Sequence, residues 1–118
     1  MLANHPLRGH IYENWVVSEY CKKYYNRGIE PPLYFWRDAR HEIDLVIDEG
    51  SRLYPVEIKS SYTFNSDFVT NLEYFCRLQK IPIVGDCVYA GDKNFTFQNF
   101  NILPWSVVGA SSAAARPS

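Results

Sequence analysis

Hydrophobic and polar positions divide this chain into a helix, three strands, a second helix and a closing group of strands. From Leu7 to Tyr25 apolar residues recur at helical spacing, and Asn26-Arg27-Gly28 supplies a left-handed stop. Plotted at about 100° per residue, Glu13, Val16, Val17, Tyr20, Cys21 and Tyr24 share one face. After Pro31-Pro32, Leu33 to Arg37 reads as a short strand and Asp38-Ala39-Arg40-His41 as a turn. Glu42 to Asp48 and Leu53 to Lys59 both alternate, with Glu49-Gly50-Ser51-Arg52 between them as a tight hairpin turn. In the register that this turn sets, Ile43, Leu45, Ile47, Tyr54, Val56 and Ile58 form one apolar face. Glu42, Asp44, Val46, Pro55, Glu57 and Lys59 occupy the other. Ser66-Asp67 reads as a helix start, with the stripe Phe68, Leu72, Phe75, Cys76 and Gln79 running to about Lys80, before Pro82. A buried strand from Ile83 to Ala90, a turn at Gly91-Asp92-Lys93, a strand over Phe95 to Gln98 and an extended piece at Ile102 to Trp105 complete the series. A helix crossing between the third and fourth strands makes those two parallel, so the expected fold is α/β with a mixed β-sheet in the order α-β-β-β-α-β-β.

At 118 residues the chain is expected to form one domain over residues 1–108. Residues 109–118, rich in Ala and Ser, read as a flexible tail or a cloning remnant. With 13 acidic and 12 basic side chains the net charge is -1, so any nucleic-acid contact must be local rather than a general basic field. Cys21, Cys76 and Cys87 are widely spaced among apolar neighbours, which suits reduced core thiols and a cytoplasmic compartment. Neither a signal peptide nor a membrane span is expected. The nine Tyr, seven Phe and three Trp are read mainly as core rings. Because a helix begins almost at once after His5-Pro6, the chain is expected to be part of a longer protein.

The hairpin register carries the chemistry. It sets Asp44 directly opposite Glu57, and like charges so placed destabilise a sheet unless something neutralises them. A divalent cation would do so. Lys59 lies on the same face, opposite Glu42. Glu13 sits centrally on the apolar stripe of the first helix, where a carboxylate must be paired, protonated or bound to metal, or hydrogen-bonded to a core Tyr. Glu-x-Lys alone is a weak signal, since any exposed strand with alternating charges produces it.

This order of elements, with Glu13 on the first helix, Asp44 on the second strand and Glu57-Ile58-Lys59 on the third, resembles the PD-(D/E)XK nuclease superfamily. Gly9-His10-Ile11-Tyr12-Glu13 is similar to the helix start of archaeal Holliday-junction resolvases. More narrowly, Glu13-Asn14-Trp15-Val16-Val17-Ser18-Glu19, Tyr34-Phe35-Trp36-Arg37-Asp38, Glu42-Ile43-Asp44-Leu45-Val46-Ile47 and Tyr54-Pro55-Val56-Glu57-Ile58-Lys59-Ser60-Ser61 resemble the domain of unknown function 4143, from Leu2 to about Trp105. Members of that group typically follow a P-loop ATPase of the AAA type, and no phosphate loop occurs in this chain.

The resemblance implies a restriction-endonuclease-like core and a Mg²⁺- or Mn²⁺-dependent DNA endonuclease. Asp44 and Glu57 would bind the cation, with the Ile58 carbonyl as a backbone ligand and Glu13 as an additional or water-mediated one. Lys59 would orient the attacking water or offset negative charge in the transition state. Ile43 stands where the superfamily has its nominal Pro. Gln79 could mimic a polar residue on the second helix of some relatives, or be a satisfied core amide. Arg37, Arg40, Lys22 and Lys23, with Arg8 and Arg52, are the candidate phosphate contacts, or plain solubility charges. His5, His10 and His41 lack ligand spacing. The implied partners are DNA, including branched DNA, an ATPase domain or subunit, and a second copy of the chain by analogy with resolvases. Ile11 and Trp15, on the far side of the first helix, form a second apolar strip, either a partner surface or covered by Pro31-Pro32. Two other readings compete with the nuclease: a catalytically silent module that binds DNA or protein and regulates an ATPase, and a structural domain whose charges form only a salt-bridge cluster.

Overall fold

In the computed structural model, residues 8–108 are described, with side chains from residue 11 onward. Helix α1 spans Arg8–Tyr25, followed by strands β1 (Leu33–Arg37), β2 (Glu42–Asp48) and β3 (Leu53–Ile58). A 3₁₀ turn, Ser66–Val69, leads into α2 (Thr70–Gln79), and β4 (Asp86–Tyr89), β5 (Phe95–Phe97) and β6 (Phe100–Pro104) follow. The strands form one mixed sheet in the order β1-β2-β3-β4-β6-β5. As the crossover helix requires, β3 and β4 are parallel. The tail expected at 109–118 and His5 lie outside the described residues, as do the side chains of Arg8 and His10.

The β2–β3 hairpin has the register that the alternation implied: Leu45 pairs with Val56, Val46 with Pro55, Ile47 with Tyr54 and Asp48 with Leu53. Its turn is closed by Glu49 N–H donating to the Arg52 carbonyl at 2.9 Å, and Gly50 takes the positive φ of 84° that the turn demands. The predicted faces hold except at Ile43 and at Asp44, which lines a cleft with Leu45, Val17 and Cys21 on the α1 side. Between the pairs Tyr34↔Val46 and Trp36↔Ile43, β1 advances two residues while β2 advances three, so β2 carries an extra residue at Asp44-Leu45. This bulge turns Ile43 to the opposite face from Leu45 and Ile47.

Two cores result, one on each face of the sheet. On the α2 side Ile43, Val46, Leu72, Phe75, Cys76, Cys87, Phe100 and Ile102 pack together. On the α1 side Val16 and Tyr24 cover Leu45, Ile47, Val56, Ile58 and Val88. Each such side chain, fully buried, contributes about 1.5–3 kcal/mol relative to exposure. All three cysteines are free, Cys76 and Cys87 being buried. The buried stripe of α1 is rotated from the predicted one. Glu19 lies within it at 4% exposure and pairs with Lys22 at 2.5 Å, whereas Glu13 is only half-buried. Trp15 meets Trp105 edge to face at 5.0 Å rather than lying under Pro31-Pro32, and Ile11 is exposed.

The helical segment is capped one residue earlier than expected and opens as the 3₁₀ turn, with α2 itself starting only at Thr70. Asn65, not Ser66, is the cap, its side chain accepting from Asp67 N–H at 2.9 Å. Asn65→Ala should therefore cost about 1 kcal/mol of unfolding free energy in urea titrations, whereas Ser66→Ala should be nearly neutral. The expected strand from Ile83 shortens to Asp86–Tyr89. Near the end, Gln98 and Asn99 both adopt positive φ and make a tight β5–β6 hairpin turn, so the expected extended piece joins the sheet as a third strand after α2. Trp105 leaves the sheet and starts a helical turn. No helix among the described residues is long and apolar enough to cross a membrane.

Candidate functional site

Beyond the pair Leu45↔Val56, no further β2–β3 pair joins the ladder, and side chains take over from the backbone. Asp44 N–H donates to Glu57 Oε1 at 3.3 Å, and Ile58 N–H donates to Asp44 Oδ2 at 2.8 Å. The bulge is the local cause, because it removes Asp44 from regular pairing and lets its carboxylate reach the β3 backbone. Glu57 belongs to both sheet halves: its backbone is aligned with Cys87 of β4, and its side chain is 3% exposed.

A carboxylate so buried needs partners. Glu57 Oε2 accepts from the Asn71 side-chain amide at 3.3 Å and lies 3.7 Å from Lys59 Nζ. That last separation is a charge contact rather than a hydrogen bond. Burial first, and the Asp44 charge second, push the Glu57 carboxyl up to about 8, against the opposing pull of Lys59. Near neutral pH it therefore holds a proton. Lys59 also stands 5.7 Å from the centre of the Phe68 ring, and its backbone N–H continues the parallel ladder to Val88.

The structure thus brings together Asp44, Glu57, the Ile58 backbone and Lys59. Glu13 does not complete a cluster: among the described residues, no group of three or more His, Cys, Asp or Glu side chains could hold a metal ion. The donors present do fit a hard cation of the Mg²⁺ type, which binds through one or two carboxylates and keeps several waters. Two adjacent carboxylates, one kept protonated by burial and by the charge of the other, are what an ion would exchange for a released proton.

Asn71, the second residue of α2, is the partner that the periodic pattern did not reveal. Gln79, the predicted polar residue of this helix, is exposed at its far end. The 3₁₀ start explains the difference, because it delays the α-helix and places Asn71 in its first turn facing Glu57. Also unanticipated is Asp86, 7% exposed, which accepts from the Tyr20 hydroxyl at 2.7 Å, the Tyr54 hydroxyl at 2.6 Å and the Asn101 amide at 3.1 Å. Three neutral donors from three elements satisfy it, and it serves as an internal tie between α1, β3, β4 and β6.

Of the six candidate phosphate contacts, Arg52 is held by Glu49 and the side chain of Arg8 lies outside the described residues, and the other four divide into two pairs. Lys22 is committed to Glu19, and Lys23 lies 5.2 Å from the Tyr24 ring centre, both in the last turn of α1. Arg37 and Arg40 instead flank the β1–β2 turn, in a cleft of about 340 Å³ shared with Asp38, His41, Glu42 and Asn71. Asp38 organises that turn. Its carboxylate accepts from Arg40 N–H at 3.0 Å, His41 N–H at 2.9 Å and the Tyr74 hydroxyl at 2.6 Å. These bonds, the Tyr74 one foremost, hold its carboxyl down at about 2. The His41 ring stacks on Tyr74 at 3.7 Å between centroids.

A search of curated proteins found no match to this chain. The family profile of the domain of unknown function DUF4143 matches residues 8–108, which include β2, β3 and the whole carboxylate site. The chain belongs to the DUF4143 family.

Proposed function

We propose that this domain is a Mg²⁺- or Mn²⁺-dependent endonuclease of PD-(D/E)XK type that hydrolyses DNA phosphodiester bonds, as part of a larger ATPase-linked protein. The observation that carries the reading is the Glu57 carboxylate, buried against the like charge of Asp44 with Lys59 alongside. A sheet gains nothing from such a pair unless a cation or a proton joins it. Asp44, Glu57 and the Ile58 carbonyl would hold the ion, with Glu13 reaching it through water. A bound divalent cation acidifies the attacking water and draws charge from the phosphoryl oxygens. The chain's own groups do the rest. Ile58 N–H keeps the Asp44 carboxylate aimed, and the Asn71 amide keeps Glu57 aimed. Lys59 sets the water's orientation and offsets negative charge as it grows on the phosphate.

The test is nicking of supercoiled plasmid by the purified domain in Mn²⁺, with an EDTA control, beside calorimetry of the same protein. Nicking that EDTA suppresses is the expected result, with a rise in unfolding temperature at millimolar Mn²⁺ through binding to the folded state alone. Absence of both nicking and a thermal shift would overturn the proposal.

One observation favours a second reading, a catalytically silent module that regulates its ATPase. Both Glu57 oxygens and one Asp44 oxygen already accept internal hydrogen bonds. On that reading the metal shift is absent, and binding to the ATPase partner survives Asp44→Ala.

A further inference from the structure

Among the described residues, Arg37 and Arg40 are in no salt bridge, as is also true of Arg27, but these two share one cleft. Arg52 and Arg77, by contrast, are held by Glu49 and Glu73. Neither Arg37 nor Arg40 takes part in any salt bridge, although Asp38 and Glu42 line the same cleft. The reason lies in the turn. The Asp38 oxygens are occupied by two backbone N–H groups and the Tyr74 hydroxyl, so its charge is directed away from the guanidinium groups. Glu42 is paired with Arg37 in the β1–β2 ladder, yet its exposed carboxylate forms no salt bridge there. Arg37 is instead braced against the Phe35 ring, 5.7 Å from its centre, an arrangement that leaves the fork of N–H donors free for a planar or tetrahedral anion.

Asn71 lines this cleft, and Asn71 is also the residue whose amide donates to Glu57. The arginine cleft and the carboxylate pair are therefore neighbours across one side chain. We infer that the cleft between the β1–β2 turn and α2 seats a backbone phosphate of a nucleic-acid strand without any metal, next to the phosphate presented to Asp44 and Glu57. The inference rests on the reading of that pair as the hydrolytic site and adds to it a second phosphate seat on the same strand, so that two phosphates of one polynucleotide are held at once. Each strand of a duplex offers a charge about every 3.4 Å of helix axis, so neighbouring phosphates are available to both. The Asp38 turn and the His41–Tyr74 stack hold the arginine-bearing loop in place before the strand arrives.

The test uses fluorescence anisotropy of a labelled DNA oligonucleotide with the intact domain in EDTA, where no cutting occurs, over a series of salt concentrations. Arg37→Ala/Arg40→Ala should weaken binding at least about tenfold at low salt, and should flatten the dependence of log affinity on log salt by about 2, roughly 0.9 for each lost contact. Arg77→Ala, a surface arginine outside the cleft, should change neither. Arg37→Lys/Arg40→Lys should keep the salt slope while losing affinity, because the charges remain and the planar fork does not. Both altered side chains are solvent-exposed, and an unchanged unfolding temperature will show that the fold is intact. A wild-type slope in the double Ala variant, an effect no larger than that of Arg77→Ala, or no wild-type binding in EDTA would each overturn the inference. Cleavage in Mn²⁺ is scored separately. Arginine-dependent binding without any cleavage sinks the hydrolytic reading and keeps the cleft, whereas cleavage with arginine-independent binding does the reverse.

Discussion

Asp44→Asn is expected to abolish Mn²⁺-dependent DNA cleavage while raising the stability of the metal-free domain. Both effects come from one carboxylate. Loss of a charged ligand to the ion removes transition-state stabilisation, so activity should fall roughly 10³-fold or more. The amide oxygen of Asn can still accept from Ile58 N–H, the bond that Asp44 makes at 2.8 Å, so the β2–β3 junction keeps its geometry. What disappears is the like charge beside Glu57, the second cause of its raised proton affinity after burial. The variant should therefore unfold at a higher temperature than wild type near pH 8 in EDTA, and should lose the thermal shift that Mn²⁺ confers on wild type. Plasmid nicking and calorimetry on the two proteins measure both arms. Equal nicking by both would remove Asp44 from the mechanism, and a lower melting temperature would show that its charge contributes to the fold rather than opposing it.

Stability of the metal-free domain should also fall as pH rises from about 5 to about 8, and Glu57→Gln should remove most of that fall. In the unfolded chain Glu57 titrates near its ordinary value of 4.5, and in the fold near 8. Below both values it is protonated in either state and contributes no pH dependence. Between them the unfolded chain has released the proton that the folded chain keeps, so each further pH unit favours unfolding by about 1.4 kcal/mol. Above the folded value the loss is complete, and it amounts to a few kcal/mol. Gln mimics the protonated carboxyl and has nothing to release. Urea unfolding from pH 5 to pH 9 should give a declining curve for wild type and a flatter one for Glu57→Gln, with the variant the more stable at pH 8. Parallel curves would mean that Glu57 ionises normally in the fold. Added Mg²⁺ should restore wild-type stability at the alkaline end, because the ion takes the place of the proton. Asp38 acts in the opposite sense and in a separate window. Its lowered value means that its contribution is present above the ordinary carboxylate range and is lost as pH falls toward 2.

The hairpin that carries Asp44 and Glu57 was legible in the sequence because its determinants are local. Alternation fixes which residues share a face, and Gly50 permits the positive φ of a turn that admits one register. The parallel β3–β4 pairing was legible for a similar reason, since a helix between two strands of one sheet leaves little choice. The α1 face was not. Periodicity placed Glu13 centrally and overlooked Glu19, because the rotation of a helix is decided by what it packs against, and a Glu paired with Lys22 can lie in a stripe that hydropathy assigns to solvent. Ile43 changed sides through a bulge, an event shared by two strands that neither records alone. Asn71 and Asp86 acquired their roles through partners far away in sequence, Asn71 at Glu57 and Asp86 at Tyr20, Tyr54 and Asn101. The sequence by itself determined the hairpin register from Leu45 to Val56 that brings the two carboxylates and the lysine into one region, since turn chemistry and alternation act over a few residues, whereas the directly opposed Asp44–Glu57 pair that it implied gives way to a bulge at Asp44-Leu45. Only the tertiary structure decided which of those charges is buried, which arginines stay unpaired and which amide joins them, because burial and long-range hydrogen bonds depend on how whole elements pack.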